Sequence, residues 1–129
     1  GRDSGPGSGG APRYPDIKFI FSHAGGTMPF LIERATAPTK ATSPPAVENP
    51  TLALLRHFHY DTGHSNNART LAALKHVVPA SQIMFGTDFP YSDLADEVRG
   101  LADSGVFSAA ELAAVSRDNA LALLPKRRP

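Results

Sequence analysis

Two apolar runs in this sequence end in side chains able to carry protons or hold metal ions. Ile83-Met84-Phe85 breaks at Gly86 and is followed by Thr87, Asp88, Phe89, Pro90 and Tyr91. Lys18-Phe19-Ile20-Phe21 is followed by Ser22, His23, Ala24, Gly25 and Gly26, with Pro29 at a position that suits the start of a helix. A buried strand that stops at a turn leaves the next polar residue at its C-terminal edge, where ligands and catalytic groups collect in parallel α/β folds. Taken alone, Asp88 reads equally well as the cap of the next helix or the residue that holds the turn. Two strands of one chain with the same ending make a site the better reading. The other histidines are weaker candidates. His57 and His59 would share a face if both lay in a strand, yet His57 falls at a helix end and a structural role is favoured for both. His64 follows Gly63 at the same edge, His76 sits near a helix C-terminus that favours a cation, and Asp61 reads as a turn-former or as support for the site.

The residues Ser22-His23-Ala24-Gly25-Gly26-Thr27-Met28-Pro29-Phe30, taken with Phe85-Gly86-Thr87-Asp88-Phe89-Pro90, resemble the amidohydrolase-related metal-dependent decarboxylases. This group includes the aminocarboxymuconate-semialdehyde, resorcylate and methylsalicylate decarboxylases. The resemblance runs from about Tyr14 to Leu124. It corresponds to the last part of a member, from strand six to the end of a TIM (β/α)8 barrel of the metal-dependent hydrolase type.

The resemblance implies a divalent metal, usually zinc, at the mouth of the barrel. It makes Asp88 the carboxylate ligand from strand eight, and His23 the general acid or base beside the metal-bound water. Both roles suit the chemistry, because a hard carboxylate fits a metal that polarises water and imidazole exchanges protons near neutral pH. Arg34, eleven residues after His23, matches an arginine that relatives supply across a dimer interface to bind the substrate carboxylate in bidentate fashion. Phe89 and Tyr91 would rim the pocket. The implied reaction is decarboxylation of a small carboxylic acid by a homodimer; hydrolysis of a lactone, ester or amide by the same metal-water chemistry is the alternative.

One departure bears on all of this. Members open on a strand with a His-x-His pair and carry another histidine ligand at strand five. Here the one His-x-His, His57 to His59, falls elsewhere. One carboxylate and one histidine fall short of the three protein ligands usual in an open zinc site. The chain by itself is therefore expected to hold little metal and to be inactive. A non-catalytic reading is that it associates with copies of itself through an unpaired sheet edge.

The elements that position these residues follow in order. The patterning predicts strands over 17–21, 58–62 and 83–85, and helices over 29–35, 51–58, 66–77 and 92–104. Leu71, Leu74 and Val78 mark the apolar side of the amphipathic third helix, and Leu94, Val98 and Leu101 share one face of the fourth. Ser108 and Glu111 form a capping box that opens a helix through Val115, and a last helical turn starts at Asp118. Four prolines make 37–50 a loop. The β-α-β-α-β-α-α order is that of a parallel α/β fold, with a partial barrel domain over 16–125. Residues 1–15, rich in Gly, Pro and Ser, read as a disordered lead, and their abrupt low complexity as a truncation or a misplaced start; 126–129 reads as a basic tail.

Composition excludes several classes. The 129 residues are too few for a complete eight-stranded barrel, which needs about 250. A net charge of +1 with scattered basic residues argues against nucleic-acid and membrane-surface partners. No apolar run approaches the roughly 20 residues that span a bilayer, and the start lacks a secretion pattern. The absence of cysteine removes thiolate metal sites and fits the cytoplasm.

Overall fold

A computed structural model describes residues 16–35 and 50–124. The expected lead over 1–15, all but the last residue of the expected 37–50 loop, and the basic tail lie outside them. Three parallel strands, β1 (Ile20–Phe21), β2 (His59–Asp61) and β3 (Ile83–Met84), form one sheet in the order β1-β2-β3. Phe21 pairs with Tyr60, Tyr60 with Ile83, and Asp61 with Met84. The connection from β1 to β2 carries α1 (Met28–Ala35) and α2 (Pro50–Leu55), and the one from β2 to β3 carries α3 (Ala68–Val77). After β3 come α4 (Leu94–Asp103), α5 (Ala109–Ala113) and α6 (Asn119–Leu123). The class is α/β, as the patterning predicts.

The centre of the sheet is buried and its first strand is not. Tyr60, Ile83 and Met84 are at most 5% exposed, whereas Ile17, Ile20 and Phe21 are about half exposed. The strand expected over 17–21 is in register with β2 only at Ile20–Phe21, with His59 N adding a bond to Phe19 O at 2.9 Å. Phe58 packs edge-on against Phe19 and Phe21 on that side. An unpaired sheet edge was expected; among the described residues β1 has a strand on one side only, while the outer edge of β3 is covered. Phe85 N donates to Val115 O at 2.8 Å, and Asn119 Nδ2 donates to Ala80 O and Ile83 O at 2.8 and 2.7 Å. The contact falls at a π-helical turn, Ala114–Asp118, which joins α5 to α6. One helical stretch therefore runs over 109–123 where two were expected.

Leu71, Leu74, Val77 and Val78 of α3 and its C-terminal cap pack on Tyr60, Ile83 and Val115. The helix begins at Asn67, whose side chain accepts from Thr70 N at 3.0 Å. The Tyr60 hydroxyl donates to Leu55 O at 3.0 Å, and burial pushes its pKa up to about 12. The expected face of α4 is only partly used. Leu101 is buried, but Leu94 and Val98 are about half exposed. Gly100 explains the difference: its bare backbone lies against the Asn66 carbonyl, which seats α4 along Gly100 and Leu101.

The Ser108 capping box is formed, with Ser108 Oγ accepting from Glu111 N and Glu111 accepting from Ser108 N. Lys75 Nζ adds a 2.7 Å ion pair to Glu111 and lies 5.4 Å from the centre of the Phe107 ring. The Lys75 hydrogen bond, then the Ser108 amide, hold the Glu111 carboxyl down at about 2 from an ordinary 4.5. A carboxylate depressed in the folded state stabilises above its unfolded pKa and loses that contribution as pH falls through the folded one. Glu111→Gln is thus expected to lower the denaturation midpoint at pH 6, with the difference shrinking from pH 4.5 and vanishing near pH 2. Denaturant titrations of both proteins across that range check it; a difference that persists at pH 2 would count against the ion pair.

Candidate active site

The C-terminal ends of all three strands open on one cavity of about 260 Å³, lined by Ser22, His23, Asp61, Gly63, Gly86, Thr87, Asp88 and Phe89. The two candidate strand-end residues, 65 positions apart in the sequence, thus face the same space. Both have unusual backbones. His23 (φ 55°), Ala24 (φ 54°) and Asp88 (φ 58°) lie in the left-handed region, as does His64 (φ 51°). Such a conformation costs an L-residue on the order of 1 kcal/mol or more and persists where neighbours over-determine it. After β1 the chain turns tightly, with Gly25 N donating to Ser22 O at 3.0 Å and Gly26 N to His23 O at 2.8 Å. That turn buries Ala24 completely and leaves His23 at the mouth.

The imidazole of His23 is held through Nδ1, 2.9 Å from Gly63 O. A carbonyl only accepts, so Nδ1 carries the hydrogen and the neutral ring keeps its lone pair on Nε2. Nε2 has no protein partner among the described residues. The Asp88 carboxylate likewise accepts no hydrogen bond from a described residue, although its own carbonyl accepts from Tyr91 N at 2.8 Å and closes the turn. Asp88 does not cap α4; Asp93 does, accepting from Ala95 N and Asp96 N. The helix-cap alternative for Asp88 is thereby excluded, its backbone carbonyl holds the turn, and Asp88 and His23 line one polar cavity.

Asp61 is the residue whose importance the sequence understated. Its Oδ2 accepts from Ser22 Oγ at 2.7 Å, and its Oδ1 accepts from Gly63 N at 2.9 Å and, more weakly, from His23 N at 3.3 Å. Gly86 matters for the same packing. A Cβ there would stand 2.9 Å from Gly63 N and 3.0 Å from Asp61 Oδ1, so only glycine lets β3 end this close to β2. Behind the cavity the buried Thr62 accepts from Gly86 N through Oγ1 at 3.1 Å, and Asn66 Nδ2 bridges Gly86 O and Glu97. The only signal for Asp61 was its place, a carboxylate ending a strand ahead of Thr-Gly.

Phe89 lines the cavity from its rim and is 80% exposed; Tyr91, also exposed, is not part of the lining. Arg34 is exposed near the end of α1 and does not line the cavity. His64 points instead to Ser92 Oγ through Nδ1. His57 precedes β2 and lies outside the strand, so it forms no same-face pair with His59. Burial, then the nearby charge of Lys18, pulls the His59 pKa below its ordinary value. Among the described residues no group of three or more His, Cys, Asp or Glu side chains is placed to hold a metal ion. No helix among them is long and apolar enough to cross a membrane.

Comparison with known proteins bears on the family and the fold. The family model described as "Amidohydrolase" matches residues 7–126. The 6-methylsalicylic acid decarboxylase of Penicillium expansum is 39% identical over 79 residues, covering 60% of this chain and 24% of that protein. Decarboxylase yanB of Aspergillus niger is 32% identical over 130 aligned positions, covering 92% of this chain and 34% of that protein. A dihydroxybenzoic acid decarboxylase from Polaromonas sp. JS666, solved with manganese and the inhibitor 2-nitroresorcinol, shares the fold with a TM-score of 0.71 at 20% identity. That match covers 87% of this chain and 35% of the other. The chain spans about a quarter to a third of the length of the two curated relatives. With nearly all of its residues inside the family model, this chain belongs to the amidohydrolase family.

Proposed function

We propose that residues 16–125 form strands six to eight, with their helices, of a (β/α)8 barrel in a metal-dependent decarboxylase of small aromatic carboxylic acids. The observation that carries this reading is the convergence of His23 and Asp88 on one cavity at the C-terminal ends of parallel strands. Ligands gather at that edge in barrel enzymes. The decarboxylases among the relatives favour carbon–carbon cleavage over hydrolysis of a lactone, ester or amide. The half-exposed Ile20 and Phe21 of β1 fit a sheet that continues beyond this chain.

Manganese in the Polaromonas relative supports a divalent ion, zinc or manganese, as cofactor. The carboxylate of Asp88 is a suitable donor. By itself this chain does not fit such an ion, because an open site takes about three protein ligands and the described residues offer no cluster of that size. The described residues alone do not complete such a site.

The chain's own residues handle the proton. When the bond to the carboxylate breaks, its electron pair stays on the substrate carbon, carbon dioxide leaves, and a proton must reach that carbon. An imidazolium at His23 keeps its Nδ1 hydrogen on Gly63 O and delivers the one on Nε2, ending as the neutral Nδ1–H tautomer. Phe89 offers an aromatic face at the rim. Arg34, remote from its own cavity, would hold the substrate carboxylate of a second copy in a homodimer.

The test uses the full-length protein that contains this chain, assayed for carbon dioxide release from hydroxybenzoic and alkylsalicylic acids. Asp88→Ala is expected to lower divalent-metal affinity by about 100-fold or more and to abolish turnover. The isolated 129-residue chain is expected to retain little metal and to show no turnover. Wild-type metal content and rate in Asp88→Ala would refute the assignment.

A further inference from the structure

We infer that Asp61 is the positioning residue of this site: its carboxylate, acting through Gly63, sets the tautomer and orientation of the His23 imidazole. The value of that device to catalysis rests on the proposed role of His23; the device itself rests on three hydrogen bonds. Asp61 Oδ1 holds Gly63 N at 2.9 Å, Gly63 O holds His23 Nδ1 at 2.9 Å, and His23 N returns to Asp61 Oδ1 at 3.3 Å. These bonds close a ring between the ends of β1 and β2. Asp61 Oδ2 adds Ser22 Oγ at 2.7 Å, so the carboxylate grips both the residue before the histidine and the histidine's own amide.

The turn that carries Gly63 explains how the grip is transmitted. Ser65 N donates to Thr62 O at 2.9 Å and closes a tight turn around Gly63 and His64, the latter at φ 51°. Glycine alone has little preference for one orientation of its peptides. The Asp61 carboxylate supplies it by fixing the Gly63 amide, and the Gly63 carbonyl is then presented to the imidazole. On the far side Gly86 leaves no free space, since a Cβ there would meet Asp61 Oδ1 at 3.0 Å. The carboxylate is thus wedged among the ends of all three strands. Without it the Gly63 amide loses its side-chain acceptor and the peptide that presents the Gly63 carbonyl is held less firmly toward His23, while an imidazole in water favours the opposite, Nε2–H tautomer. Only the Nδ1–H tautomer leaves the Nε2 lone pair free to take up a proton on the cavity side and give it back.

Nitrogen-15 spectra of labelled histidine in the full chain test this directly, without any need for turnover. Neutral His23 is expected as the Nδ1–H tautomer in the wild type. Asp61→Ala is expected to shift it to Nε2–H and to speed amide exchange at Gly63 by roughly tenfold. Asp61→Asn is the rescue variant: its Oδ1 still accepts both amides, and its Nδ2 can donate to the Ser22 hydroxyl, so Nδ1–H is expected to return. Nε2–H in the wild type would overturn the inference, as would Nδ1–H surviving in a folded Asp61→Ala protein, or Asp61→Asn behaving like the alanine variant. Should Asp61→Ala fail to fold, the wild type and Asp61→Asn still decide. In the full-length protein the rate should follow the tautomer, with kcat falling more than KM changes. A tautomer that responds while no activity is found would count against the decarboxylase reading and leave the positioning role standing.

Discussion

His23→Ala is expected to slow decarboxylation by the full-length protein about 10²- to 10⁴-fold, the usual worth of a positioned acid or base. Metal content should stay near that of the wild type, because His23 is read as the proton carrier and Asp88 as the ligand. The fold should survive as well. His23 sits at the exposed mouth, and its one side-chain bond among the described residues, to Gly63 O at 2.9 Å, is worth about 0.5–1.5 kcal/mol at most. Rate loss without instability or metal loss is therefore the signature to seek, by steady-state kinetics, metal analysis and a denaturation midpoint on one preparation. If kcat/KM stayed within about tenfold of wild type, another group would have to move the proton. If metal were lost in parallel, His23 would be a ligand, a role the free Nε2 also permits.

Gly100→Ala is expected to destabilise the protein by about 1–3 kcal/mol, against the direction that helix propensity predicts. Alanine in a helix interior is favoured over glycine by about 1 kcal/mol, and Gly100 lies inside α4. The packing overrides that preference. A Cβ at this position would drive into the Asn66 carbonyl oxygen and stand 3.3 Å from the Asn66 Cβ. Asn66 is not free to yield, because its Nδ2 donates to Gly86 O at 3.1 Å and to Glu97 Oε2 at 2.6 Å. Gly86 in turn abuts Asp61, so the disturbance should reach the cavity. A chemical-denaturation midpoint measures the first effect, and the His23 Nδ1 resonance reports the second. A more stable Gly100→Ala protein would mean that α4 is free to slide off Asn66.

The parts of this protein that were legible in the sequence are those that depend on near neighbours. Ser108 and Glu111 are three residues apart, and the capping box they predict is formed. The apolar spacing of Leu71 and Leu74 places both in the core. The break after each apolar run locates His23 and Asp88 at strand ends, and the shared grammar of the two segments places both at one mouth. Of the shared α4 face only Leu101 is buried, because amphipathic spacing says which residues can share a surface, not how far a partner surface extends. There Gly100 and Asn66 decide the seating and leave Leu94 and Val98 half exposed. The join of α5 to α6 was missed for a similar reason, since its π-helical turn coincides with a bond from Phe85 that no local pattern announces.

The sequence by itself determined the α/β class, the strand ends that line the cavity and the family to which the chain belongs. Only the tertiary structure decided what those ends do to one another. The hydrogen bonds that set His23 reach across 38 to 40 residues, from Ser22 and His23 to Asp61 and Gly63. Such bonds depend on strand register, and register follows from the summed burial of Tyr60, Ile83 and the helices above them rather than from any short motif. A carboxylate that reads locally as a turn-former becomes, once β1 and β2 are in register, the anchor between two loops.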